Sequence, residues 1–251
     1  TMTGNIAPAS GGAGIQFNSG SDNNVLTHTG NISTAGDNAY GLYLSSSDNN
    51  TTTINGNIST SGTYAQGIDI YSSTGNSITN LGTIATSASG TYGVYIRSGS
   101  ALTTLNNKQS GLTYYGKVPT NYNIIIRGDT DYGQTTFSSV SSTMTFGIDL
   151  TNSGTNIGDK TYEDVLTGIA ASGVLTATTG SSGGASWSLA HDGTNWDLTI
   201  TGALSGSYYS GPSTASTLTS IQSAGYGVAS QFSSYAMSTN YANLNTYDCG
   251  L

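Results

Sequence analysis

The sequence predicts an all-β chain. It is read as a parallel β-helix (solenoid) with about 26 residues per coil, a wider C-terminal β region and a short helical or extended tail. Three observations carry that expectation. Gly4-Asn5-Ile6, Gly30-Asn31-Ile32, Gly56-Asn57-Ile58 and Gly82-Thr83-Ile84 recur at a strictly even interval. A second lane runs Gly14-Ile15-Gln16-Phe17, Gly41-Leu42-Tyr43-Leu44, Gly67-Ile68-Asp69-Ile70 and Gly93-Val94-Tyr95-Ile96, with spacings of 27, 26 and 26. Apolar residues alternate within a lane, as in Leu42/Leu44 and Ile68/Ile70, so one face of each segment points inward and the other outward.

A period in the twenties marks a solenoid, whose units bury their apolar faces only by stacking on one another. The L-x-x-L-x-L-x-x-N pattern of leucine-rich repeats is absent. A parallel β-helix fits instead, with coils roughly 4.8 Å apart. Its expected core ladders are Ile6, Ile32, Ile58 and Ile84 in the first lane, and Leu42, Ile68 and Val94 in the second. A weaker third lane carries Leu26, Thr52-Thr53-Ile54 and Ile78, each after an asparagine at Asn24, Asn50 or Asn76. Asparagines in columns can form side-chain ladders between coils. The glycine that opens each lane is expected to serve a corner needing positive φ. His28 stands where later repeats carry Ile54 and Asn80, so it reads as a coil-face residue and not as a ligand.

From about Ala101 the period fades, which divides the chain into repeats (1–100), a C-terminal β region that closes the solenoid (101–201), and a Gly/Ser linker with a tail (202–251). Tyr122 to Ile126 reads as a buried strand. Met144, Phe146, Ile148 and Leu150 alternate as a half-buried one, and Tyr162 to Ile169 is a third. Trp187/Leu189 and Trp196/Leu198/Ile200 flank His191-Asp192-Gly193-Thr194, a hairpin with Asp-Gly at its turn. This region is expected to close the solenoid with wider coils or a small β-domain. In the tail, Leu218, Ile221, Val228, Phe232 and Tyr235 recur at three- to four-residue spacing, as in a weakly amphipathic helix or an arm reaching a neighbouring subunit.

Composition narrows the function. Only 7% of the 251 residues are charged, with 5 Lys+Arg against 13 Asp+Glu and a net charge of -8. Nucleic acid and anionic membrane surfaces bind through clustered cations, so neither is an expected partner. No apolar run reaches the roughly 20 residues of a membrane helix, and no membrane insertion is expected. Disorder usually comes from high charge with few apolar residues; here 35% are hydrophobic and regularly placed. The glycines lack the three-residue period of collagen. A lone Cys249 leaves no intrachain disulfide framework and no cysteine zinc site.

These features together resemble the secreted passenger of a bacterial autotransporter (type V secretion). The Gly-Asn-Ile coils are similar to its β-helix. Asp131-Tyr132-Gly133-Gln134, then Met144 to Leu150, then Tyr162-Glu163-Asp164-Val165-Leu166-Thr167-Gly168, resemble the last passenger coils. The end at Tyr247-Asp248-Cys249 resembles the connector before a translocating barrel. The resemblance implies export to the outer surface of a diderm bacterium, as a processed passenger released from its barrel or as a truncated chain.

Candidate chemistry is sparse. Ser188, His191 and Asp192 suggest a hydrolase triad, but a triad needs convergence with an orienting group, and two of the three sit at a predicted turn. Asp129 and Asp131 would share a strand face, which suits Ca²⁺ or paired glycosidase acids; against this, an Asp-Thr-Asp turn after a buried strand is ordinary capping, and the repeat has no accompanying cluster of Asp, Lys and Arg. Arg127-Gly128-Asp129 matches a cell-attachment tripeptide, and a strand-end turn accounts for it as well. Tyr40, Tyr43, Tyr64, Tyr71, Tyr92 and Tyr95 recur near the second lane. They form either an exposed aromatic stripe for sugars or surfaces or corner packing. No catalytic residue, metal or cofactor is expected.

A β-helix leaves unpaired main-chain groups at its ends unless a cap covers them. The first repeat begins almost at Thr1, so either upstream chain has been removed or something else covers that edge; a second copy of the chain is the expected cover, and a head-to-tail contact that does not close gives a filament. The leading expectation is therefore an extracellular structural protein, a homo-oligomer assembling end to end into a filament or surface coat. A non-polymerising adhesin for glycans or cell surfaces comes second. A polysaccharide-active β-helix enzyme or a phage tail spike comes third.

Overall fold

The computed structural model describes residues 1–8 and 11–208. The tail positions Leu218, Ile221, Val228, Phe232 and Tyr235, and Cys249, lie outside the described residues. The described chain is a parallel β-solenoid of about six turns, with no helix.

The second, third and fourth coils each supply one strand to each of three sheets. The first coil contributes β1 (Met2–Thr3) and β2 (Ile15–Phe17). The second contributes β3 (Val25–Thr29), β4 (Ile32–Thr34) and β5 (Leu42–Ser45); the third, β6 (Thr51–Asn55), β7 (Ile58–Thr60) and β8 (Ile68–Tyr71). The fourth contributes β9 (Asn76–Asn80), β10 (Ile84–Thr86) and β11 (Val94–Ile96). Later coils supply β12 (Leu102–Asn107) with β13 (Leu112–Lys117), then β14 (Asn121–Ile124) with β15 (Thr135–Ser141), then β16 (Thr145–Ile148), β17 (Thr155–Ile157) and β18 (Lys160–Thr167). Three further strands, β19 (Thr179–Ser182), β20 (Ala185–His191) and β21 (Asn195–Thr201), extend the sheet of β18 antiparallel, and β22 (Leu204–Ser205) pairs with β17.

The register follows the repeat. Ile6 bridges to Ile32, Ile32 pairs with Ile58 and Ile58 with Ile84. In the sheet of β2, Ile15 pairs with Leu42, Leu42 with Ile68 and Ile68 with Val94. Ile32, Ile58, Leu42, Ile68 and Val94 are almost wholly buried, and Ile6 is partly so. The third lane pairs Leu26 with Thr52 and Thr52 with Ile78. His28 lies in register with Ile54, itself in register with Asn80, and is buried on the coil's inner face.

The glycine columns differ from expectation. Gly4 and Gly30 do have positive φ, at 119° and 129°. Gly41 and Gly67 do not; what they supply is room. A Cβ on Gly41 would run into Cγ2 of Ile58, and one on Gly67 into Cγ2 of Ile84. In each case the carbonyl oxygen of the next coil's glycine is only 2.6 Å away. The repeat therefore keeps glycine where two sheets meet, so that the isoleucine of the following coil can close the corner.

Side chains continue the ladder where the backbone turns away. Asn31 and Asn57 donate their backbone N–H groups to Oδ1 of Asn5 and Asn31, at 2.9 and 3.0 Å, and Thr83 to Oδ1 of Asn57 at 2.9 Å. At the next corner, the N–H groups of Asn24 and Asn50 donate to Oδ1 of Asn50 and Asn76, both at 2.8 Å. The three-strand sheet ends at β10, where Gln109 takes over the pairing. Its Oε1 accepts the Ile84 N–H at 2.7 Å, and its Nε2 donates to the Ile84 carbonyl at 3.0 Å. With no partner strand beyond it, the coil shortens: Leu105 pairs with Tyr122, 17 positions on.

The later coils form the wider C-terminal β region that the sequence predicts, and they are uneven: Leu105 to Tyr122 spans 17 positions, Tyr122 to Phe146 spans 24 and Thr135 to Leu166 spans 31. Their strands lengthen, to 7 residues in β15 and 8 in β18. The parallel stack also runs on past residue 100. Aromatic rings fill this section. Tyr114, Phe137, Tyr122, Phe146 and Trp187 form a chain of contacts with centroids 5.0 to 6.0 Å apart. The expected hairpin is β20–β21, with Gly193 at φ 108° in its turn.

This packing makes two testable predictions. Gly67→Ala should destabilise the solenoid by about 1–3 kcal/mol, the usual range for overpacking. Gly128→Ala, where a Cβ meets nothing within 4 Å, should be neutral; denaturant unfolding of both variants checks this. The second concerns pH. Burial pushes the Tyr122 hydroxyl up to about 12, from about 10 in the unfolded chain. Because the folded value is the higher one, the native state holds this proton longer. The contribution of Tyr122 to stability should stay constant below pH ~10 and fall by about 2–3 kcal/mol as pH rises to ~12. Thermal unfolding across that range should show a shallower fall in Tyr122→Phe.

Candidate functional site

Outward positions of the sheet of β5, β8 and β11 form an aromatic wall. Tyr43, Asp69, Tyr95 and Tyr115 occupy one cross-coil column, each in register with the next. Tyr40, Gln66 and Tyr92 follow one another at intervals of one coil, at the corner that precedes these strands. The side chains meet as a cluster. Tyr92 and Tyr95 stack with centroids 6.1 Å apart and ring planes within 12°; Tyr95 and Tyr115 lie 5.1 Å apart, and Tyr92 and Tyr115 4.7 Å apart.

Arg97 ties the wall together. Its Nε donates to Oδ1 of Asp69 at 2.8 Å and to Oδ2 at 3.2 Å, and its Nη2 donates to the Tyr40 hydroxyl at 2.8 Å. Its guanidinium also lies 5.5 to 5.8 Å from the ring centres of Tyr95, Tyr71 and Tyr40, within range of cation–π attraction. The Asp69 side chain has no exposure although it points away from the core. Burial pushes its carboxyl up from the usual range, while the hydrogen bond from Arg97 pulls against that shift. The same bond holds the Arg97 guanidinium firmly charged. Burial, with Asp69 nearby, also raises the Tyr40 hydroxyl.

Beside this pair lies an open cleft of about 420 Å³, lined by Asn38, Tyr64, Gln66, Gly90, Tyr92, Tyr95, Arg97 and Tyr115. The Gln66 amide is fixed, its Oε1 accepting the Tyr92 N–H at 2.6 Å. Tyr64 is 65% exposed and sits at φ 56°, where a bulky residue is a conformational outlier. Its equivalents one coil either way are Asn38 and Gly90, which tolerate that backbone.

The stripe residues therefore divide. Tyr40 is buried, Tyr43 and Tyr95 half-buried, and Tyr64 and Tyr71 exposed. Sequence reasoning misses Asp69, Arg97, Gln66 and Tyr115 as site residues, yet a signal is there. Charges are so scarce that an Asp and an Arg separated by one coil plus two positions stand out on one strand face.

The other candidate residues do not converge. Asp192 accepts backbone N–H bonds from Asn195 and Thr194 at 2.7 and 2.8 Å, which lower its carboxyl's affinity for protons. His191 packs edge-on against Trp196. Asp129 pairs with Lys160 at 3.3 Å and Asp131 with Lys108 at 2.9 Å. Arg127 lies 3.6 Å from the ring centre of Tyr208 and donates to the Asn152 carbonyl, so the Arg-Gly-Asp tripeptide is engaged with its own chain. Among the described residues no three His, Cys, Asp or Glu side chains gather as a metal site. In comparisons with known proteins, no family model matches the chain, and neither does any curated protein or solved structure.

Arg97→Met should leave the Asp69 carboxylate buried without its partner and destabilise the protein by roughly 3 kcal/mol. The double variant Arg97→Met/Asp69→Leu should recover most of that loss. Urea unfolding of the two variants measures both effects.

Proposed function

We propose that this chain is an extracellular β-solenoid of a bacterial surface that attaches to glycans through its aromatic wall. The observation that carries the reading is the cleft, where the half-buried rings of Tyr92, Tyr95 and Tyr115 and the exposed ring of Tyr64 stand beside fixed polar groups. Aromatic faces stack on the apolar C–H faces of sugar rings, while the Gln66 amide and the Arg97 guanidinium can address hydroxyls. The passenger-like repeats fit export through type V secretion and exposure outside the cell.

End-to-end assembly into a filament or coat is the second reading. What favours it is that consecutive coils share one strand register, so their main-chain edges match. Any free coil face can pair with the equivalent face of another copy by strand addition. The wall reverses the order of these two expectations because it is a built site, whereas assembly rests on coil matching alone.

Incubation of the purified chain on a glycan array tests the first reading. Binding should appear and should fall by at least about tenfold in Tyr92→Ala and Tyr115→Ala, which each remove a stacked ring. An array with no bound glycan ends the adhesin reading. Electron microscopy at micromolar concentration tests the second: filaments support it, and monomers alone remove it.

A further inference from the structure

We propose that the cleft takes an uncharged oligosaccharide, about three pyranose residues long, lying along the solenoid axis; the inference rests on the glycan-binding reading. Its direction comes from the lining. Asn38 belongs to the second coil, Tyr64 and Gln66 to the third, Gly90, Tyr92, Tyr95 and Arg97 to the fourth, and Tyr115 to the fifth. The cleft thus crosses coils instead of following one. Three coil steps of roughly 4.8 Å span about 14 Å, enough for a short run of sugar rings and too long for a single one.

Charge decides the class. Among the described residues Arg97 is the only cation in the lining, and Asp69 already compensates it at 2.8 Å. Tyr40 takes a further donor of the same guanidinium. What remains toward the cleft is a positioned N–H donor group in a site of no net charge. That suits hydroxyls and ring oxygens better than a carboxylate or sulfate. The chain's net charge of -8 also disfavours polyanions at a distance.

Tyr64 supplies an independent pointer. Its column has Asn38 before it and Gly90 after it, both suited to positive φ, while Tyr64 holds a strained backbone with 65% of its surface exposed. Packing gives no return for that strain. Strained residues of this kind cluster at ligand clamps, and Tyr64 stands on the rim of the cleft. Its ring would close over a sugar stacked on Tyr92 and Tyr115.

Calorimetric titration of the full chain tests this with neutral oligosaccharides built on glucose, galactose or mannose, as single sugars, trimers and hexamers, and with oligogalacturonate as the anionic probe. At least one neutral series should bind. Its affinity should rise by tenfold or more from monomer to trimer, level off by the hexamer, and change little with salt. Tyr92→Phe should keep the affinity and Tyr92→Ala should lose about tenfold. Tyr64→Asn should bind more weakly while its midpoint of thermal unfolding rises, because the backbone strain is relieved. A structural role for Tyr64 predicts the reverse in stability, and that result would overturn the clamp. Preference for oligogalacturonate, lost at high salt or in Arg97→Gln, would overturn the neutral assignment and leave the adhesin standing. An absence of binding to every probe would remove both.

Discussion

Main-chain pairing between successive coils is the constraint on which the rest depends. Where a strand meets its counterpart one turn later it does so at the spacing of hydrogen-bonded strands, so a group that enlarges a corner strains the stack. Glycine at 41 and 67 follows from this. The carbonyl of the next coil already occupies the space that a Cβ would need. The inward isoleucines then fill the corner that glycine opens, and neither residue is useful without the other.

Where the backbone leaves the sheets it still carries donors and acceptors that need partners. The columns of asparagine meet that need with side-chain amides, one coil at a time. Gln109 carries the idea further. Its single amide reproduces both halves of a strand pairing at Ile84, which ends a sheet without leaving an open edge there. The loss of that third strand changes the coil length, and with it the repeat. The core responds by replacing branched aliphatic residues with a run of aromatic rings, which fill the section between the longer strands.

Scarcity of charge gives the few charged groups weight. Only 7% of the residues are charged. Against that background one buried carboxylate, one guanidinium and a set of tyrosines form a rigid wall. The wall is rigid because Arg97 is held on two sides, by Asp69 and by Tyr40. A prearranged surface loses little freedom on binding, and this is the physical basis for reading it as a recognition face. The strained backbone of Tyr64 belongs to the same argument, since nothing in the packing of its corner calls for a tyrosine.

Fold class, coil length, the inward ladders and the asparagine columns are legible in the sequence, because each depends only on periodicity. The hairpin of Trp187 to Ile200 is legible from its turn chemistry. Two things are not. The sequence suggests backbone conformation as the reason for glycine at the second corner, whereas the contact responsible lies with an isoleucine of the following coil. The meeting of Asp69, Arg97, Gln66 and Tyr115 is also hidden, because it needs the register between coils and the burial of an outward carboxylate. Periodicity by itself determines which residues share a column. Only the tertiary stack decides which columns stand side by side, since that depends on how sharply each corner turns.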